Sequence, residues 1–81
     1  MKNSDILLAL DSKRLEVFKN KQGVHVMYKD AEIKDGCFLV GTYGTGVDFE
    51  TACDDYLSKI RGKRLVFNAD SNNREDIMIL G

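Results

Sequence analysis

One stretch of this chain admits a single local structure. Phe49, Ala52, Cys53, Tyr56, Leu57 and Ile60 fall at i, i+3, i+4, i+7, i+8 and i+11, and only an α-helix gathers that spacing into one apolar stripe. Asp48 stands where an N-cap belongs, and Val47 and Ala52 have the spacing of a hydrophobic staple. Asp48 and Glu50 lie at the positive end of the helix dipole, and Lys59 and Arg61 at the negative end. Gly62 ends the helix as a C′ residue. A stripe this narrow needs a surface to bury against, and the segments on either side of it are strand-like.

Read from the N-terminus, Ser4 and Asp5 cap a short helix from Asp5 to Ser12 with Ile6, Leu7 and Leu10 on one face. Arg14 to Lys19 alternates as a strand does, Leu15 and Val17 against Glu16 and Phe18. Asn20 to Gly23 is a turn. Val24, Val26 and Tyr28 then alternate with His25, Met27 and Lys29, which completes a hairpin. Asp35-Gly36 predicts a type I′ turn into a third strand, Cys37 to Tyr43, and Asp30 to Lys34 extends the second. Arg64 to Ala69 is a fourth strand, Asp70 to Asp76 a polar loop, and Ile77 to Leu80 an apolar run that is an edge strand or a docking tail. The prediction is one α+β domain over residues 1–81: a two-layer arrangement of about four antiparallel strands on one main helix, in the order α-β-β-β-α-β. Both faces of the strands carry apolar side chains, Phe18 and Met27 opposite Val17 and Val26. The helix covers one face. The N-terminal segment, a second subunit or a target protein must cover the other.

Charge and size narrow the function classes. Twelve basic and thirteen acidic side chains leave a net charge of −1, so no overall field draws the chain to nucleic acid or a membrane surface. A chain of 81 residues has a small core, which homodimerisation would enlarge. Ile6 to Leu10, between Asp5 and Asp11, is too short for a signal peptide, and no run reaches spanning length, so a cytoplasmic protein is expected. Cys37, Cys53 and one histidine make neither a disulfide framework nor a zinc set; both cysteines read as reduced core thiols. No cofactor or metal is expected.

Four groups of residues bear on chemistry. Gly41-Thr-Tyr-Gly44-Thr-Gly46 joins a strand to a helix N-terminus, where glycine loops hold phosphate. Its spacing is not a phosphate-loop pattern, and Asp48 and Glu50 repel anions, so it reads as a structural corner on which Thr42, Tyr43 and Thr45 form a polar contact surface. His25 and Cys37 could be drawn as base and nucleophile, but no third group orients them and no enzyme is expected. Asp54 and Asp55, with Glu50, read as a solvated helix face or an acidic contact surface. Lys59, Arg61, Lys63 and Arg64 read as dipole-stabilising cations or a small phosphate-contacting patch.

The segment Tyr43-Gly-Thr-Gly-Val-Asp-Phe-Glu-Thr-Ala52, with Asp55-Tyr56, Ile60 and Gly62-Lys-Arg-Leu-Val-Phe67, resembles a group of small phage and prophage proteins of uncharacterised function. More loosely it is similar to the β-β-β-α-β core of HicB-type antitoxins. The resemblance spans about a third of the chain, and its glycines and apolar positions determine a fold. It implies a phage origin, and with the two-faced sheet the expectation is a phage-derived accessory protein or inhibitor that binds a protein partner. The alternative it implies is an antitoxin-like binder of a small nuclease, since no DNA-binding segment follows the core here. The order of the first five elements also resembles that of a double-stranded RNA-binding domain, although Asp48 and Glu50 stand where such a domain carries basic residues.

Overall fold

The computed structural model describes residues 2–79. The described elements are α1 (Asn3–Asp11), β1 (Leu15–Asn20), β2 (Gly23–Tyr28), β3 (Ala31–Asp35), β4 (Phe38–Val40), β5 (Gly44–Gly46), α2 (Phe49–Ile60), β6 (Arg64–Phe67) and β7 (Glu75–Met78). All strand pairings are antiparallel, within two sheets ordered β1-β2-β5 and β4-β3-β6-β7. The expected α+β class with a main helix packed on antiparallel strands is what the chain adopts. Its strands are more numerous and shorter than expected, and the reason lies in one long hairpin.

That hairpin has arms β2-β3 and β4-β5, and both arms are interrupted. Val26 faces Gly44 in the first sheet and Ile33 faces Val40 in the second. Six residues therefore separate the pairs on one arm and three on the other. The excess is absorbed at Lys29-Asp30, where Asp30 takes φ 59°, a left-handed conformation that Asp and Asn tolerate better than other side chains. Asn68, with φ 55°, lies beside it and donates its N–H to the Asp30 carbonyl at 3.0 Å. Asp30 to Lys34 thus continues the second strand's path but changes sheets. The expected third strand, Cys37 to Tyr43, is replaced by β4 and β5 on either side of Gly41-Thr-Tyr43. At the tip, Asp35 pairs with Phe38 across Gly36-Cys37. Only Gly36 there has positive φ (64°), the requirement of a type II′ turn rather than I′.

α2 runs as its stripe predicts. Ala52, Cys53, Tyr56, Leu57 and Ile60 are all buried against Val24, Val26, Tyr28, Ile33, Leu65 and Phe67. Each large side chain so buried contributes about 1.5–3 kcal/mol, which outweighs any single cap. Asp48 caps the helix with Thr51, whose N–H donates to Asp48 Oδ1 at 2.8 Å, and Gly62 follows with φ 78°. The staple is absent: Val47 is 85% exposed.

α1 starts earlier than Ser4 and Asp5 would place it. Its N-cap is Lys2, and Asp5 accepts the Lys2 N–H at 3.2 Å. Ser4 is buried instead and donates to Glu50 Oε2 at 2.7 Å. Leu7 enters the core, while Leu10 stays exposed. Since α1 packs beside α2, the N-terminal segment joins the helical layer and does not cover the far face of the strands. The final apolar run is partly a strand: Ile77 belongs to β7, Ile79 is buried and exchanges backbone hydrogen bonds with Gly62 and Lys63, and Leu80 lies outside the described residues.

Candidate functional site

Register decides which side chains stand on the uncovered face of the first sheet. Val24, Val26 and Tyr28 point to α2, so their neighbours point away. Phe18 on β1, His25 on β2 and Thr45 on β5 lie in one row across the three strands. Period-two alternation places Tyr43 and Val47 on the same side as Thr45. The result is a patch centred on an aromatic trio, with Glu16, opposite Met27, at its margin.

His25 is the centre of that trio. Its ring stacks on Phe18 with centroids 5.3 Å apart and meets the edge of Tyr43 at 5.6 Å. It is only 6% exposed on a face that no other described element covers, whereas Phe18 and Tyr43 are 49% and 52% exposed. Both ring nitrogens are engaged: Nδ1 lies 2.9 Å from Thr45 Oγ1 and Nε2 3.1 Å from Asn20 Oδ1. Asn20 Oδ1 also accepts the Gln22 N–H, which identifies it as the oxygen. In the neutral ring Nε2 is therefore the donor to Asn20, and Nδ1 accepts from the threonine hydroxyl. His25 is a positioned part of a surface, with no free nitrogen to act as a base. Cys37 sits in the β3-β4 turn of the other sheet, exposed, so the two residues make no catalytic pair.

Residues of α2 border the patch. Asp55 Oδ2 accepts the Thr45 N–H at 2.9 Å and pairs with Lys59 Nζ at 2.9 Å. The Lys59 ammonium, followed by the Thr45 N–H, holds the Asp55 carboxyl below the usual carboxylate range. Lys59 also donates to the Tyr43 carbonyl at 3.0 Å and lies 5.7 Å from the centre of its ring. The N–H that an edge strand would expose at Thr45 is thereby satisfied by the helix.

Of the residues singled out from sequence, Tyr43, Thr45, Asp55 and Lys59 come together here, and half-buried Thr42 precedes them. The others do not join them. Glu50 and Asp54 face α1, where they accept hydrogen bonds from Ser4 and Asn3. Exposed Arg61 is the C-cap of α2, and Lys63 lies in the turn that follows. Arg64 is on the far face of the second sheet, 3.8 Å from Asp76. The four cations thus form no continuous basic patch. Sequence reasoning left out Phe18, His25, Asn20 and Val47 as site residues. The signal for the first two was present in the alternation of the first hairpin, which places them outward and opposite each other.

The outer face of the second sheet has another character. Glu32, Lys34, Arg64 and Asp76 surround Val66 in the register, so the outward aromatic surface is confined to the first sheet, and the uncharged edge of the second sheet to β4. Among the described residues, no helix is long and apolar enough to cross a membrane and no cluster of three or more His, Cys, Asp or Glu side chains is placed to hold a metal ion. Comparison with protein-family models, with curated proteins and with solved structures finds no match to this chain.

Proposed function

We propose that this chain is a non-enzymatic protein-interaction module that works inside the cell by occluding a surface of a protein partner. The observation that carries this reading is the Phe18, His25 and Tyr43 trio: two half-exposed rings held on a buried histidine, on a sheet face that neither helix covers. Aromatic side chains with fixed rings and a polar margin are what protein interfaces concentrate at their centres. The likeness of Tyr43 to Phe67 to small phage proteins supports an accessory or inhibitory role of phage origin. The same face would serve an antitoxin-like binder of a small nuclease, with Asp55 at its margin.

The test compares wild-type protein with Phe18→Ala and Tyr43→Ala in affinity capture from host cells. A partner held in stoichiometric amounts by the wild type and weakened at least tenfold by either substitution, with the circular dichroism spectrum unchanged, supports the reading. A partner retained equally by both variants would move the interface elsewhere. Micromolar, salt-dependent binding of duplex RNA or DNA that Lys63→Glu and Arg64→Glu abolish would replace it with a nucleic-acid function.

A further inference from the structure

The edges of the two sheets are not alike. β1 carries Glu16 and Lys19. β5 lies under α2, and the Thr45 N–H is bonded to Asp55. β7 carries Glu75 and Asp76, in ion pairs with Arg14, Arg64 and Arg74. Among the described residues, β4 has none of these protections. Phe38, Leu39 and Val40 are 74%, 36% and 44% exposed, and every residue from Gly36 to Val47 is uncharged. A Cβ placed on Gly36 or Gly41, at the two ends of β4, would meet nothing within 4 Å. Soluble proteins ordinarily blunt an open edge with charge, proline, a bulge or a covering element.

The backbone of this edge has a defined polarity. Asp35 and Phe38 close a two-residue turn, so they form a hydrogen-bonded pair, and Phe38 and Val40 direct their N–H and C=O groups at β3. Those of Leu39 point outward, as do those of Cys37 and Gly41 where the extended path continues. We propose that β4 pairs antiparallel with β4 of a second copy of this chain about a two-fold axis at Leu39. Leu39 then faces Leu39 of the second copy and exchanges both backbone hydrogen bonds with it. Phe38 faces Val40 on the opposite sheet surface, and Cys37 faces Gly41. The pairing makes one continuous eight-stranded sheet from two four-stranded ones.

Charge selects the second copy as occupant. Across a two-fold axis a strand meets its own sequence in reverse, so a charged residue at the centre would face its own sign. The β4 edge has no charge to repel its copy and offers none to attract a charged partner strand. The β7 edge does carry charge at its centre, at Asp76, and β1 carries Glu16 and Lys19 on either side of its centre. This surface is separate from the aromatic patch, so the two readings stand or fall independently.

Sedimentation equilibrium at tens of micromolar is expected to give twice the 9.1 kDa chain mass for the wild type and the single mass for Leu39→Lys, which sets two ammonium groups against each other. Leu39 is partly exposed, and an unchanged far-ultraviolet circular dichroism spectrum confirms the variant's fold. Register is read separately in a Cys37→Ser background. Phe38→Cys with Val40→Cys is expected to give a disulfide-linked dimer on oxidation, because facing residues of a non-hydrogen-bonded pair have Cα atoms about 4.5 Å apart. Either cysteine alone is expected to give none. A wild type that sediments as one chain, a Leu39→Lys variant that remains a dimer, or single variants that cross-link as readily as the double would overturn the proposal.

Discussion

Tyr28 donates its phenolic proton to the carbonyl oxygen of Leu7, which ties the middle of α1 to the point where β2 leaves the first sheet. The backbone N–H of Tyr28 points toward β5, as do those of Val24 and Val26, but the partner strand is interrupted at Gly41 to Tyr43. The Tyr56 hydroxyl accepts that N–H at 3.1 Å instead. Two tyrosines thus repair the interruption of the hairpin, one through its ring oxygen and the other through its backbone. Burial pushes both phenols above their ordinary range, as expected of hydroxyls kept protonated.

These two hydrogen bonds predict unequal costs. Tyr28→Phe removes a donor and leaves the Leu7 carbonyl its own helical hydrogen bond, so it is expected to lose about 1 kcal/mol. Tyr56→Phe leaves the buried Tyr28 N–H without a partner and is expected to lose about 2–3 kcal/mol. Thermal melts should show the first as a shift of about 4–8 °C in a domain of this size and the second as roughly twice that. Equal shifts would mean that the Tyr28 N–H finds another acceptor.

The glycines of the corner separate packing from conformation. A Cβ on Gly44 would collide with the Ala52 carbonyl and lie 2.5 Å from Tyr56 Cβ, and one on Gly46 would lie 2.5 Å from the Ala52 nitrogen. Neither glycine has positive φ, so their role is to let β5 approach the α2 backbone. Gly44→Ala and Gly46→Ala are expected to destabilise by about 3 kcal/mol, the upper end for overpacking, because backbone cannot move aside as a side chain can. Gly41→Ala, in open space, is expected to stay within about 0.5 kcal/mol of wild type. Urea denaturation of the three variants tests this ordering.

The same corner shows how far the sequence could be read. The stripe from Phe49 to Ile60, the Asp48 cap and Gly62 were legible because helix periodicity and capping are local. The first hairpin was legible because alternation is local too, and with it the outward placement of Phe18 and His25. Splitting the strands into two sheets was not legible, because it depends on where α2 lands: Gly44 and Gly46 read as corner residues in the chain and become a strand only beneath the helix. Tyr43 and Thr45 are exposed and Thr42 half-buried, but the trio of rings that gives Tyr43 its neighbours required the cross-strand register. Charge in sequence does not show that Glu50 and Asp54 accept hydrogen bonds from α1 or that Arg64 lies on the other sheet, because both depend on how distant segments pack.

Cys37 was expected in the core and stands exposed in a turn, whereas Cys53 is fully buried. Burial pushes the Cys53 thiol up to about 11, which suppresses its thiolate at neutral pH. A thiol reagent is expected to modify one cysteine per native chain within its mixing time and the second only after denaturation. Cys37→Ser should abolish the fast phase completely. A native Cys37→Ser protein that still reacts rapidly would show that α2 opens locally around Cys53.

Four carboxylates give the stability its dependence on acid. Asp11 is held below the ordinary value of 3.8 chiefly by the side chain of Arg14, Asp48 by that of Thr51, Asp55 by Lys59 and Asp76 by Arg74. A carboxyl with a lower pKa in the folded state than in the unfolded state adds stability above the unfolded value. That contribution is lost as pH falls through the folded value. The urea midpoint is thus expected to be flat with respect to these groups near neutrality and to decline from about pH 5 downward. Asparagine caps helices about as well as aspartate, and at position 55 it still offers an acceptor to the Thr45 N–H. The double variant Asp48→Asn, Asp55→Asn should therefore fold normally at pH 7 with a measurably shallower decline between about pH 5 and 2. The two pairs are largely solvent-exposed, so added salt should reduce the Asp55 contribution further. An acid decline as steep in the double variant as in the wild type would assign the effect to Asp11 and Asp76 alone.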